Sequence, residues 1–459
     1  MSTANILTEP AKETPMKAVA RLFSRLAERY LPDAFILVFF LTLVVLALGV
    51  AKGHEARLVL DYWGGGFFNI LAFTAQATLM LVTGFALAHT PLVNRGLRAF
   101  ARIPRNEVQV IIATTLVMMI CSWASWGFGL IAGAIVAREM GIVHHGKIHY
   151  PLVVAASYAG FLVWHAGYGG AIPTLIATPG HFLEKDLGVI PVSQTIFAWE
   201  TLVILALLAV VIPIAMVMMR PRADEPRVSL PASELEFEQE DEQLGGSEAE
   251  RRELTPAERL ERSRFIPFTL GVLALLYLVS YFAGGGGINI NIVILSFFAL
   301  GLLLTPSVSH YLHSFSGGSK SAAGIILQFP FYAGIMGVMV QTGLAADIAA
   351  AFVAFASDKT LPFWSFISAG LINMFVPSGG GQWAVQGPIM IEAARQLGAD
   401  MPRVAMAVAW GDAWTNMIQP FWTLPLLAIA GLGIRHIMGY TAVILMVSGV
   451  VIGGGLLLL

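Results

Sequence analysis

Two apolar arms, residues 361–376 and 389–394, are each too short to cross a bilayer, and between them lies Pro377-Ser-Gly-Gly-Gly-Gln-Trp-Ala-Val-Gln-Gly-Pro388. Lipid satisfies no hydrogen bond, so irregular polar backbone at membrane depth survives only where protein buries it or where it lines a wet cavity. The chain is therefore more than a bundle of uninterrupted spans. A second run, Cys121-Ser-Trp-Ala-Ser-Trp-Gly-Phe-Gly-Leu-Ile-Ala-Gly133, precedes it, with Ser122 and Ser378 separated by 256 positions. Paired interruptions in matching places of two halves point to a transporter's binding site.

The remainder of the chain fits a membrane protein, since 57% of residues are hydrophobic and only 12% charged. The net charge of −2 says nothing about nucleic acid, because the charges are unevenly placed, with 21 of the 56 charged residues in 220–264; no nucleic-acid partner is expected. With Cys121 as the single cysteine there is no intramolecular disulfide and no cysteine-based metal site. The first 30 residues mix Arg and Lys with Glu9, Glu13 and Glu28 and lack a cleavage pattern, so the first span is expected to serve as its own insertion signal. No nucleophile-elbow, zincin or Walker-type motif occurs, which argues against an enzyme and predicts no cofactor.

Apolar stretches near the ~20 residues that a span requires fall at about 33–51, 66–89, 151–178, 196–219, 267–283, 288–304, 321–341, 403–433 and 436–458. Two further stretches, about 106–140 and 361–396, read as re-entrant hairpins. The expected fold is an all-α polytopic membrane protein of two inverted repeats, each with a hairpin and a broken transmembrane helix. A cytoplasmic segment 1–30 leads into a first repeat, 31–219. A charged, solvated linker, 220–265, precedes a connecting span and the second repeat, 266–459. Inversion follows from parity, because four crossings in the first half plus the single span 267–283 turn the second half over. The charges agree: Lys12, Lys17, Arg21, Arg25 and Arg29 precede the first span and Arg95, Arg98, Arg102 and Arg105 follow the second, whereas 343–360 carries Asp347, Asp358 and only Lys359. The N-terminus, linker and Arg435 are thus expected in the cytoplasm and the C-terminus outside.

Each hairpin's second arm starts at the tip and presents a helix N-terminus there, whose partial positive charge suits an anion. The glycines are expected to allow positive φ and close approach. Candidate substrate contacts are Ser122, Trp123, Ser125, Trp126 and Gly127 at the first tip, and Ser378, Gly379, Gly380, Gly381, Gln382, Trp383 and Gln386 at the second. A glycine-rich helix-packing seam is the alternative for the glycines, and a membrane-belt anchor the alternative to an acyl-chain wall for the tryptophans. The segments Trp164-His-Ala-Gly-Tyr-Gly-Gly-Ala-Ile-Pro173 and Trp410-Gly-Asp-Ala-Trp-Thr-Asn-Met-Ile-Gln-Pro420 match in order and add Tyr168, Gly169, Gly170 and Trp414. They also place His165 and Asp412 inside spans, where ionisable groups are costly and mark ion or proton paths. A satisfied neutral histidine is the competing account of His165. Thr415, Asn416 and Gln419 follow Asp412 and offer oxygens of the kind that a small hard cation uses, so a sodium ion near Asp412 is one candidate and no metal site is firm. His144, His145 and His149 lack an accompanying carboxylate or cysteine and read as a solvated loop.

These residues carry a resemblance. Tyr30-Leu-Pro-Asp33, Trp63-Gly-Gly-Gly-Phe-Phe-Asn69, Trp126-Gly-Phe-Gly129, Gln328-Phe-Pro-Phe-Tyr-Ala-Gly334, Pro377-Ser-Gly-Gly-Gly381, Gln386-Gly-Pro388 and Gln419-Pro-Phe-Trp422 together resemble the bacterial short-chain fatty acid transporter family, from about residue 17 onward. That family is similar in organisation to the ion transporter superfamily, whose divalent anion/sodium symporters hold substrate and cation between two hairpins and two broken helices. The resemblance implies uptake of acetoacetate, butyrate or similar acids with H+ or Na+, an elevator-like motion, a homodimer, and an inner-membrane location in contact with lipid. Those symporters carry Ser-Asn-Thr at their tips; this chain has Ser122-Trp-Ala-Ser125 and Ser378-Gly-Gly-Gly381, so sodium ligands do not transfer residue by residue. A passive small-anion channel and a cation/proton antiporter with Asp412 as carrier are the competing functions.

Overall fold

The computed structural model describes residues 34–222, 225–230 and 255–459. The N-terminal basic cluster, the Tyr30–Asp33 motif and most of the charged linker lie outside the described residues. Within them every element is helical. This follows from the solvent: in hydrocarbon a backbone must bond to itself, and a helix does so within one segment. Seven stretches are long and apolar enough to cross a membrane, and shorter apolar helices accompany them.

In chain order, α1 (Ala34–Ala51), the short α2 (Ala56–Gly66) and α3 (Leu71–Ala88) lead to α4 (Pro91–Phe100), whose exposed Arg95 and half-buried Arg98 set it apart from the spans. The first hairpin is α5 (Glu107–Ala124) and α6 (Trp126–Val143). A broken helix follows: α7 (Tyr150–Gly160), a 3-10 stretch Phe161–Ala166, then α8 (Ala171–Ile176). Next come α9 (Trp199–Met218) and α10 (Phe265–Ala283). The same succession then returns as α11 (Ile290–Leu304), α12 (Val308–Ser321), α13 (Ala323–Gln341) and α14 (Leu344–Phe355). The second hairpin is α15 (Leu361–Asn373) with α16 (Gly379–Leu397), and the second broken helix is α17 (Met401–Thr415), a 3-10 turn Asn416–Ile418 and α18 (Pro420–Ala430), before α19 (Met438–Leu458).

Polar contacts tie helix ends into two separate groups. Lys52 pairs with Asp347 at 2.6 Å, the Arg395 guanidinium reaches the Asp186 carbonyl at 3.2 Å, and the Thr178 hydroxyl accepts from the Ile290 amide at 3.2 Å. At the other ends, Arg98 approaches Glu139 at 3.9 Å, the His149 amide donates to Glu107 at 2.9 Å, and the Tyr150 hydroxyl donates to the Ala430 carbonyl at 2.8 Å. The last piece of the linker joins this second group: Arg227 donates twice to Glu107, at 3.0 and 3.2 Å, and the Val228 carbonyl accepts from the Tyr150 amide at 2.8 Å. The Glu107 and Glu139 ends of the first hairpin both fall in the second group, and the Arg395 end of the second hairpin falls in the first.

The hairpin tips differ from expectation in one respect. Irregular backbone is confined to Ser125 in the first hairpin and to residues 374–378 in the second. The helix α16 starts at Gly379, not at residue 389, and none of the tip glycines has positive φ. Their use is close approach, because helical glycine leaves room where a side chain would stand. A Cβ on Gly127 would lie 2.7 Å from the Leu81 backbone, and one on Gly381 2.5 Å from the Tyr332 ring. Both contacts fall in the interior of long helices, α3 and α13, and place the tips within the bundle.

Candidate functional site

The second tip is built around a cap. Ser378 precedes α16 in extended conformation, and its hydroxyl accepts the Gly381 amide at 3.3 Å. Ser125 does the same for α6, accepting from Phe128 at 3.5 Å. Each cap satisfies one of the first-turn donors and leaves others facing forward. Beyond Ser378, Gly379 and Gly380 lies a cleft of about 20 Å³, walled also by Trp126, Ala171, Gln328 and Trp422. The first tip, both broken helices and the second tip therefore meet at one place. That volume suits about one water. Gly380 faces Phe73, where a Cβ would fall 1.8 Å from the ring, and Gly379 faces His165, where it would fall 2.4 Å from Nε2.

His165 and Asp412 come together behind this wall. The Nε2–Oδ2 distance is 3.6 Å with both side chains fully buried. That is ion-pair range but outside hydrogen-bond reach, and neither ring nitrogen nor either carboxylate oxygen has a hydrogen-bond partner. Buried polar atoms without partners are rare and call for an account such as a proton or an ion. Around the pair runs a polar network. Asn373 donates to the Asp412 carbonyl at 2.7 Å and to the Thr415 hydroxyl at 2.9 Å, while its own Oδ1 is buried without a partner. Asn416 accepts from the Trp164 indole at 3.1 Å and, through its carbonyl, from the Tyr158 hydroxyl at 2.7 Å. Its side chain donates to Gln419 at 3.3 Å, and Gln419 donates to the Asn373 carbonyl. The broken helix supplies these groups through carbonyls that accept twice: that of Asp412 also accepts the Asn416 amide, and that of Asn416 the Gln419 amide.

Other sequence candidates make structural contacts, while Trp123 Nε1, Gln382 Oε1 and Trp383 Nε1 are buried without hydrogen-bond partners. Gln382 donates to the Ala369 carbonyl at 2.9 Å and to Gln386 at 3.0 Å, and Gln386 donates to Ser368 at 2.9 Å. These bonds clasp α16 to α15. Trp383 is fully buried in the same hairpin, beside Gly387. Ser122 donates to the Met118 carbonyl at 2.6 Å, and Trp123 packs on Tyr168 with centroids 4.6 Å apart. Gly169 donates to the Trp123 carbonyl at 2.9 Å, so the first break rests on the first tip, and Gly170 opens α8. Trp414 points elsewhere, donating to the Leu445 carbonyl at 2.6 Å and packing on Phe366. His144 lies 3.4 Å from the Ala101 carbonyl and His149 accepts from Val228 at 3.2 Å, and among the described residues no group of three or more His, Cys, Asp or Glu could hold a metal. Sequence reasoning passed over Asn373, Tyr158, Trp164, Phe73, Gln328 and Trp422 as site residues. Asn373 had a signal, being the one amide in the apolar arm 361–376.

Two helical hairpins meeting two broken helices inside an apolar helical bundle, with unpartnered ionisable groups behind the meeting point, define a membrane transport protein. The short chain fatty acid transporter profile matches residues 16–459. A protein of Escherichia coli (strain K12) named for short-chain fatty acid transport is 42% identical over 443 residues, covering 96% of this chain and 99% of its own. A Haemophilus influenzae protein of the same name is 38% identical over 432 residues, covering 92% and 95%. The chain belongs to the short-chain fatty acid transporter family. Its fold is similar to that of the Alcanivorax borkumensis YdaH transporter, described as having an unusual topology, with TM-score 0.55 and 14% identity over 92% of this chain and 98% of that one.

Proposed function

We propose that the protein is a symporter that carries short-chain monocarboxylates such as acetoacetate or butyrate across a bacterial inner membrane together with one cation. The carboxylate binds at the α16 N-terminus, where first-turn amides and the helix dipole favour an anion without any Arg or Lys. The observation that carries the reading is the wall shared by Gly379 and His165: the ring of the buried His165–Asp412 pair lies directly behind the tip glycine. Two ligands bound on either face of one glycine must influence each other, and that influence is reciprocal. A proton is the cation that this pair suits best, since both members titrate. Sodium is the second reading, favoured by the unpartnered oxygens of Asp412 and Asn373 in one network. Proteoliposomes with proton and sodium gradients imposed separately decide it, using initial rates and subtracting protein-free vesicles because the neutral acids cross lipid unaided. Uptake stimulated by neither gradient would remove symport in favour of a passive channel.

The two groups of helix-end contacts support inverted repeats, with the first hairpin entering from the cytoplasm and the second from outside. Single cysteines at the exposed positions Arg102 and Asp358, in a Cys121→Ser background, are expected to react with an impermeant maleimide from the inside and the outside respectively. Labelling of both from one side would overturn the inversion.

A further inference from the structure

Between α8 and α9 the chain makes a closed loop against the second hairpin. The Ile190 amide donates to the Ile176 carbonyl at 2.9 Å, which joins the ends of residues 177–189. Compact loops with joined ends are frequently functional. Gly180 and Gly188, with φ of 82° and 72°, turn the chain at either side of the raised part, a conformation that a side chain would strain. The raised part bridges two helices. Phe182 packs on Phe73 of α3 with centroids 6.0 Å apart, and Phe73 in turn stacks on Phe329 and faces Gly380 at the tip. Leu183 lies against Gly387 of α16, and the Asp186 carbonyl accepts from Arg395 at 3.2 Å. Phe73 and Phe329 also wall the cleft at Ser378, so the loop covers that cleft through one layer of aromatic rings.

A single imidazole latches the loop. His181 is buried, and its Nε2 lies 2.8 Å from the Gly188 carbonyl, which can only accept, so Nε2 donates. Nδ1, left without a proton, accepts the Leu183 amide at 3.3 Å. Protonation makes Nδ1 a second donor and sets it against the Leu183 N–H. Glu184, which also accepts the Gly180 amide, is the loop's own charge at the ring, and Lys185 and Asp186 are exposed. On α16, Glu392 and Arg395 pair with each other at 2.9 Å, and α3 and α11 carry no charged residue. Burial holds the imidazole below its usual range, against a smaller upward pull from the Gly188 carbonyl and Glu184. The closed loop is therefore favoured with the ring neutral and weakens as pH falls below about 6.5. We propose that residues 177–189 are a lid over the tip cleft, with Phe182 as its plug and His181 as a latch released by acid on its own side of the membrane. The proposal rests on the tip as the carboxylate site. Released, the lid admits substrate from the side on which protons are in excess.

The latch is tested by hydrogen exchange of the 177–190 amides in the purified full-length protein between about pH 7.5 and about pH 5.5, either side of the ordinary imidazole range. A one-proton latch opens by at most about tenfold per pH unit. With intrinsic rates divided out, exchange is expected to rise by about tenfold across the window in the wild type. It should stay level in His181→Asn, whose side-chain oxygen can accept the amide two residues on but takes no proton there. The plug is tested at one pH. In a Cys121→Ser background, Ala171→Cys at the cleft is treated with an impermeant maleimide on whichever face labels Asp358→Cys, and Phe182→Ala should speed that reaction several-fold. Wild-type exchange that is flat with pH, or a slope equally steep in His181→Asn, overturns the latch. Labelling no faster in Phe182→Ala overturns the plug. Neither readout uses substrate uptake or assumes which face is outside, so failure of symport or of the inversion leaves both tests intact.

Discussion

Replacing Asp412 with Asn is expected to abolish gradient-driven accumulation while leaving substrate exchange across the membrane in place. The carboxylate sits fully buried, 3.6 Å from His165, with both oxygens unpartnered. Asparagine has nearly the same shape, keeps one oxygen and cannot carry a proton. For one proton per substrate, a gradient of one pH unit corresponds to about tenfold accumulation in the wild type. Measured as initial rates above protein-free vesicles, since the neutral acid equilibrates across lipid unaided, the variant should show no stimulation by the gradient, with counterflow of labelled acetoacetate within a few-fold of normal. Counterflow lost together with accumulation would make Asp412 part of the scaffold or of a cation cage. Accumulation retained in the variant would shift the coupling to His165, and His165→Gln should then uncouple transport from pH.

A large loss of stability is expected at Gly411. Here α17 crosses α15 so closely that a Cβ would stand 2.3 Å from the Phe366 carbonyl oxygen, 2.6 Å from the Ala369 Cβ and 3.0 Å from the Gly370 amide. Two of these neighbours are backbone, so no rotamer change relieves the clash. Small residues at helix crossings are how membrane helices gain van der Waals contact in a solvent that gives no hydrophobic drive. Gly411→Ala should cost about 3 kcal/mol or more. It should appear as a lower unfolding temperature in fluorescence-detected size exclusion, with transport falling in parallel because Asn373 then misplaces the Asp412 backbone. Gly454→Ala, where a Cβ meets nothing within 4 Å, is the control and should be neutral or slightly stabilising. Equal losses in both would show that the crossing at Gly411 is not special.

Several features of the site could be read from residue order alone. His165 and Asp412 stand out in the sequence as ionisable groups in two matched segments, but their approach to 3.6 Å is seen only in the structure, where helix pairs occupy the two interrupted stretches. Ser378 and Ser125 read in the sequence only as substrate contacts; their caps on α16 and α6 are seen in the structure. The glycines were ambiguous, since a glycine signals positive φ and helix proximity with the same letter; the structure resolves every tip glycine to proximity. Gln382 and Gln386, four apart on one helix, bond to each other and to Ser368, with the Gln382 Oε1 buried without a partner. Apolar pattern gives which residues avoid water, not which partner each meets. The Trp164–Asn416 and Gln419–Asn373 bonds could therefore not be foreseen.

The partners of Asn416 also fix an order of events during synthesis. Tyr158 and Trp164 emerge from the ribosome about 250 residues before Asn416, their hydrogen-bonding mate. Contacts so distant in sequence form late and slowly, because closure entropy must be met before any of them contributes. The first half consequently waits in the bilayer with a break and an imidazole that its own residues do not satisfy. Arrest of translation after the linker should leave that half vulnerable to membrane proteases, and separately expressed halves should be stable only when made together.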